Sequence, residues 1–282
     1  MNSAVIQNYI RTVKLEENPM IIETLKKFEE ERPMLSVGVA ADIGQRENQQ
    51  DSSFGQADGD TAFGVVCDGM GGLEGGEIAS QTAVQILIED YYEERTDDIS
   101  AFFEREAYKL NDAICALKNE YGKSLNAGST MVAVSVKQNH MNWISVGDSR
   151  IYRIRDDNIT QLNPEHNYRA TLDAKLALGE ISNAEYLADE NRAEALTSFL
   201  GVGKLKLVAQ NREVEILQDG DVILLCSDGL YKALEDGLIM GVVKTALPNI
   251  QLAANRLIEA TLDRKVNEQD NVSVVLLQYN AN

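Results

Sequence analysis

Four aspartates of this chain stand where short apolar runs begin or end, and a fifth lies in a polar stretch. Asp68 follows Gly64-Val65-Val66-Cys67, Asp148 follows Ile144-Ser145-Val146-Gly147, and Asp228 follows the run from Val222 to Ser227. Asp270 lies just before the run from Val272 to Leu277, and Asp51 sits in a polar stretch read as a turn after the first strand. One such aspartate is commonly a turn or a helix cap. Several, three of them with Gly alongside, carry charge towards the core, where an unpaired carboxylate is costly. Brought together, they would repel one another unless cations neutralised them.

The donor type narrows the cation. Oxygen-only sites suit Mg²⁺, Mn²⁺ or Ca²⁺, whereas zinc recruits His or Cys. The chain has only two histidines, His140 and His166, and no HExxH. A pair of hard cations about 3.5–4 Å apart would activate a water and clamp the attacking and leaving oxygens of an in-line phosphoryl displacement. Covalent phosphatase chemistries fit poorly. A thiolate route needs Arg after a five-residue loop, but Cys67, Cys115 and Cys226 lead to Leu73, Tyr121 and Lys232. A phospho-aspartate route needs a second Asp two places on, and Asp68, Asp148 and Asp228 are followed there by Met70, Arg150 and Leu230. Asp219-Gly-Asp221 has that spacing but reads as a turn, and no Walker-A loop is present.

The elements that must position these residues follow from periodicity. Strands are expected at Leu35–Ala41, Phe63–Cys67, Thr130–Val136, Trp143–Val146, Ile151–Ile154, Leu205–Ala209, Val222–Cys226 and Val272–Leu277. Helices are expected over Gly75–Tyr92, Ala101–Glu120, Leu230–Ala246 and Ile250–Leu262, the second with the stripe Phe103, Ala107, Leu110, Ile114 and Leu117. The elements do not alternate as β-α-β units would, which predicts an α+β fold with largely antiparallel sheets. The polar, helix-prone stretch from Asn167 to Ala195 reads as a surface flap. Residues 1–34 read as a separate extension: Ile21, Leu25 and Phe28 recur at helical spacing and Pro33 ends the pattern. Residues 35–282 form the domain.

Composition agrees with an ordinary globular protein, 44% hydrophobic and 25% charged. A net charge of −19 argues against a nucleic-acid partner, whose phosphates it would repel. The three cysteines form no even-numbered framework or CxxC, as in a reducing compartment. There is no signal-peptide pattern and no run near the ~20 apolar residues of a membrane span, so a cytoplasmic location is expected.

The motifs, taken in order, resemble the metal-dependent type 2C protein serine/threonine phosphatases. Arg46-Glu-Asn-Gln-Gln50-Asp51 and Val66-Cys-Asp68-Gly69-Met-Gly-Gly72 look like the first two, and Gly75-Gly-Glu-Ile-Ala-Ser80 continues the second. Gly128-Ser-Thr130, Val146-Gly-Asp148-Ser-Arg150, Leu162-Asn-Pro-Glu-His166 and Leu196-Thr-Ser-Phe-Leu-Gly201 follow. Leu225-Cys-Ser-Asp228-Gly229-Leu230 and Gln269-Asp270-Asn271-Val-Ser273 complete the series.

The resemblance implies a four-layer α-β-β-α sandwich of two largely antiparallel sheets. It implies hydrolysis of phosphate from serine or threonine in proteins, in opposition to a Ser/Thr kinase, by a metal-activated water and without a phosphoenzyme. By position, Asp68 would bridge two Mn²⁺ or Mg²⁺ ions, Gly69 would offer its carbonyl to one, and Asp228 and Asp270 would complete the first ion's shell. Asp148 with Asp228 would hold a weaker third ion. Arg46 would grip the substrate phosphate, Asp51 would support the shell through metal-bound water, and Gln50 would reach the second ion through water. The segment from Asn167 to Ala195 corresponds to the family's flap. Gln50 stands where relatives often carry Glu, Gln49 where Asn is usual, Leu73 replaces a common His, and Met70 occupies the place of the His thought to protonate the leaving group. The general acid is therefore unassigned, with His166 read as structural and His140 as surface. Gln50, Leu73 and the acidic extension motivate the alternative, a non-catalytic member acting as a binding or regulatory module.

Overall fold

The computed structural model describes residues 33–71, 75–264 and 268–281; the expected helix within residues 1–34 lies almost wholly outside them. The strands are β1 (Leu35–Asp42), β2 (Asp51–Asp58), β3 (Thr61–Gly71), β4 (Ala127–Ser129), β5 (Met131–Lys137), β6 (His140–Val146), β7 (Arg150–Arg155), β8 (Asn158–Gln161), β9 (Ala209–Gln210), β10 (Glu215–Ile216), β11 (Val222–Cys226) and β12 (Val272–Tyr279). The helices are α1 (Gly75–Glu94), α2 (Ile99–Cys115), α3 (Tyr168–Ala177), α4 (Asn183–Ala188), α5 (Asp228–Tyr231), α6 (Asp236–Ala246) and α7 (Ile250–Leu262).

Two antiparallel sheets form. One runs β1-β12-β11-β7-β8; the other runs β10-β6-β5-β3-β2, with β9 added to β6 and β4 to β3. Their strands are buried on both faces, so alternate side chains serve different layers. On β11, Val222, Leu224 and Cys226 face α6 and α7, while Ile223 and Leu225 face the opposite sheet. On β3, Phe63, Val65 and Cys67 face α1 and α2, while Ala62 and Val66 face inward. The three apolar layers that result are the α-β-β-α sandwich expected of the sequence.

The differences from expectation are local. The polar stretch holding Asp51 is not a turn: Asp51 opens β2, whose Gly55 lies so close under β1 and β12 that an added Cβ would meet Val37 at 2.7 Å and Val275 at 2.8 Å. An edge strand with glycine on its inner face shows no apolar run to read. The strand expected at Leu205–Ala209 shrinks to Ala209–Gln210, and Leu205 instead joins the layer under α2. The helix expected at Leu230–Ala246 is two, broken where Glu235 turns extended at φ −70°, ψ 150° to start α6. The second expected helix stops at Cys115, capped at its start by Asp98, whose side chain accepts from the Ala101 amide at 3.1 Å. The flap folds as α3 and α4, each with a side-chain cap, Asn167 and Ser182.

Candidate active site

The predicted site residues gather at one end of the sandwich, contributed by both sheets. Asp51 and Asp68 are direct cross-strand partners on β2 and β3. Asp228 opens α5 immediately after β11, and Asp270 leads into β12, which pairs with β11. Asp148 sits in the turn between β6 and β7, so it connects one sheet to the other.

Short polar bonds fix this end of the fold. Ser227 occupies the N-cap position of α5, yet its hydroxyl makes no cap; it donates to Asp51 Oδ2 at 2.6 Å, joining the two sheets. Ser227 Oγ also accepts from the Ser273 amide at 3.0 Å. Asn271 Nδ2 donates to the carbonyls of Ile43 at 2.8 Å and Asn48 at 3.1 Å, and its Oδ1 accepts from the Gln50 amide at 2.8 Å. Behind Asp68, its amide donates to Thr130 Oγ1 at 3.0 Å, and Thr130 Oγ1 lies 2.7 Å from Ser149 Oγ beside Asp148. Two glycines are required by close approach. A Cβ on Gly69 would meet Gly76 O at 2.1 Å, and one on Gly229 would meet Asn271 O at 2.0 Å.

Charge is concentrated here. Asp51 is buried, and its carboxyl is pushed up to about 7 by that burial, opposed by the Ser227 hydrogen bond and reinforced by Asp228 and Asp270. Asp68 keeps a partly open surface, yet enough protein surrounds its carboxyl that desolvation, then Asp51, Asp228, Asp148 and Asp270, raise it well above the carboxylate range. Burial and then Asp228 push Asp148 up to about 6. The carboxylates therefore feel one another, as a shared site demands.

Among the described residues no three His, Cys, Asp or Glu side chains close into a finished cage. Two are drawn instead to cationic side chains: Arg46 Nη2 lies 2.8 Å from Asp270 Oδ2, and Lys232 Nζ lies 2.5 Å from Asp228 Oδ2. The donor set still fits hard divalent cations: clustered carboxylates in excess of positive charge, beside the backbone of Gly69 on β3.

Gln50 packs on the end of β3, its Nε2 3.4 Å from Gly71 O. His166 is buried; its Nδ1 accepts from the Gly147 amide at 3.2 Å and its amide donates to Gly147 O at 2.9 Å, so it shapes the Asp148 turn, as expected of a structural histidine. His140 is exposed at the start of β6, at the other end of that strand. Trp143 and Tyr152 are core residues. Leu73 lies outside the described residues. Sequence reasoning gave no role to Ser227, Asn271, Thr130, Tyr231 or Lys232. Apart from the Thr130 segment, each lies within four residues of a predicted carboxylate, and that adjacency was the available signal.

The chain belongs to the protein phosphatase 2C family, whose model matches residues 40–265. It is 30% identical over 223 residues to the serine/threonine phosphatase Stp of Listeria innocua, covering 77% of this chain and 84% of Stp. It is 29% identical over 231 residues to the serine/threonine protein phosphatase PstP of Mycobacterium tuberculosis, covering 82% of this chain but only 42% of PstP. Among solved structures, the S. agalactiae serine/threonine phosphatase superposes with a TM-score of 0.74 at 25% identity, over 88% of this chain and 100% of that one. The catalytic domain of PstP in complex with two manganese ions gives 0.70 at 28% identity, over 88% and 99%.

Proposed function

We propose that this chain is a protein serine/threonine phosphatase that hydrolyses phosphomonoesters with two bound Mn²⁺ or Mg²⁺ ions. The observation that carries the reading is the convergence of Asp51 and Asp68 from one sheet with Asp228 and Asp270 from the other, in a family whose relatives are serine/threonine phosphatases. Asp68, the Gly69 carbonyl, Asp228 and Asp270 would hold the ions, with Gln50 contributing through water. Bound there, such ions supply charge neutralisation for a phosphate and lower the pKa of water.

The chain's own residues do the rest. Arg46 is half exposed, and its pair with Asp270 is a surface contact worth about 0–1 kcal/mol, so the guanidinium is free to exchange the carboxylate for a phosphate, which it can grip bidentately. Asp51 accepts the Ser227 hydroxyl, which holds its carboxylate beside Asp68, where it would support the shell through metal-bound water. The cysteines offer no covalent route: Cys67 and Cys226 are buried and burial raises both thiols far from the reactive range, while Cys115 lies at the exposed end of α2. Substrates are phosphorylated proteins, in opposition to a Ser/Thr kinase; the flap from Asn167 to Ala195 stands beside the site through Glu194, which approaches Lys232 at 3.9 Å. Among the described residues no helix is long and apolar enough to cross a membrane.

The test is release of phosphate from a phosphothreonine peptide with added Mn²⁺. Turnover should vanish with EDTA, and Asp228→Asn should lower kcat/KM by roughly 100-fold or more. A chain that binds Mn²⁺ without turnover would be the non-catalytic module instead.

A further inference from the structure

The corner between Asp148 and Asp228 carries its own cation against a carboxylate that is far less exposed than Asp270. Lys232 lies one helical turn beyond Asp228, and its Nζ sits 2.5 Å from Asp228 Oδ2 and 3.9 Å from Glu194 Oε2. The charges that act on it are those of Asp228, Asp148 and Glu194, and it is the strongest positive neighbour of Asp148. An ordinary i, i+4 pair on a helix surface faces solvent; here the Asp228 side chain is only 14% exposed and a third carboxylate faces the ammonium.

The surrounding groups hold this corner in place. Tyr231 Oη donates to Asp148 O at 3.1 Å, the Arg150 guanidinium lies 3.6 Å from the centre of the Tyr231 ring, and Glu165 pairs with Arg150 at 2.5 Å. The Lys232 amide donates to Asp228 O at 3.0 Å, so backbone and side chain both return to the same residue. An ammonium supplies positive charge and three donors but leaves no open coordination position.

We propose that Lys232 takes the place of a third divalent ion, its ammonium neutralising Asp148 and Asp228, so that this chain holds two ions and not three. The inference rests on the two-ion reading above and replaces the third ion that the sequence resemblance implies. Arg46, on the opposite flank, is no obstacle of this kind, because both it and Asp270 are well exposed and can part. Lys232 is buttressed on a second side by Glu194, which is itself tied to Arg169 of the flap at 2.8 Å.

The experiment is a Mn²⁺ titration of the full chain by equilibrium dialysis, with free Mn²⁺ counted by its electron paramagnetic resonance signal. The native chain should bind two ions. Lys232→Asn should bind a third, at least tenfold more weakly than the other two, and adding Asp148→Asn should abolish it; Lys232→Arg should remain at two. Circular dichroism melts report whether each variant is folded, and the native count stands whether or not they are. Three ions in the native chain, or two in a folded Lys232→Asn, overturns the assignment while leaving the phosphatase reading intact. No bound ion in any protein removes the metal reading and this inference together.

Discussion

Ser227 Oγ, 2.6 Å from Asp51 Oδ2, is the hydroxyl on which the acid cluster's geometry turns, because it moderates a carboxylate that burial would otherwise neutralise. Ser227→Ala should cost about 1–3 kcal/mol of stability, the range for losing a hydrogen bond to a buried charged group, and weaken Mn²⁺ binding roughly 10-fold; calorimetric melts and dialysis measure the two. Proton competition gives a second expectation. In the ion-free protein Asp51 is raised above its unfolded value to about 7, so the folded state holds the extra proton between about pH 4 and 7. Stability of the ion-free chain should therefore fall as pH rises through that window, by up to ~1.4 kcal/mol per unit for one group. Mn²⁺ affinity should run the other way, dropping up to tenfold per unit below pH 7, which dialysis across pH 5.5–8 checks. At this scale Asp68, Asp148, Asp228 and Asp270 were legible because each ends or begins an apolar run, whereas Asp51 was placed by the resemblance. Ser227 and Lys232 were not, since a serine before a helix reads as a cap and a lysine four places beyond an aspartate reads as a surface pair.

At the scale of elements, the register of β2 on β3 sets Asp51 opposite Asp68, and glycines at 69 and 229 let the flanking chain close around them. Gly229→Ala places its methyl 2.0 Å from the Asn271 carbonyl, so α5 must shift away from the lead-in to β12. The variant should keep its far-ultraviolet spectrum but lose Mn²⁺ affinity and several degrees of melting temperature, whereas Gly237→Ala, with open space at that position, should be neutral in both. The long strands and α1 and α7 were readable because apolar runs and helical stripes announce them. Edge strands β2 and β8 were not: their inner faces are small or polar, and their pairing comes from the neighbouring strand, not from local propensity. The break between α5 and α6 hides in a sequence that is helix-prone on both sides of Glu235.

At the scale of the whole molecule, each sheet brings half of the acidic set, so bound cations would act across the seam between sheets. Mn²⁺ at a hundredfold excess over its dissociation constant should raise the melting temperature by roughly 5–10 °C for each occupied site, and EDTA should reverse it. The α+β class was visible in the sequence because its strands and helices do not alternate as β-α-β units would, and the layers came from the family resemblance. The pairing order was not, since it depends on contacts between distant segments. That order has a bearing on how the chain is made. In the first sheet β12 stands between β1 and β11, although it is the final strand among the described residues. As a ribosome delivers the polypeptide from its amino end, β1 waits without its paired strand until β12 emerges, and Asp270 arrives with it. A chain cut before residue 268 should leave that sheet divided and melt without a cooperative transition, so this domain becomes competent only after β12 has been translated.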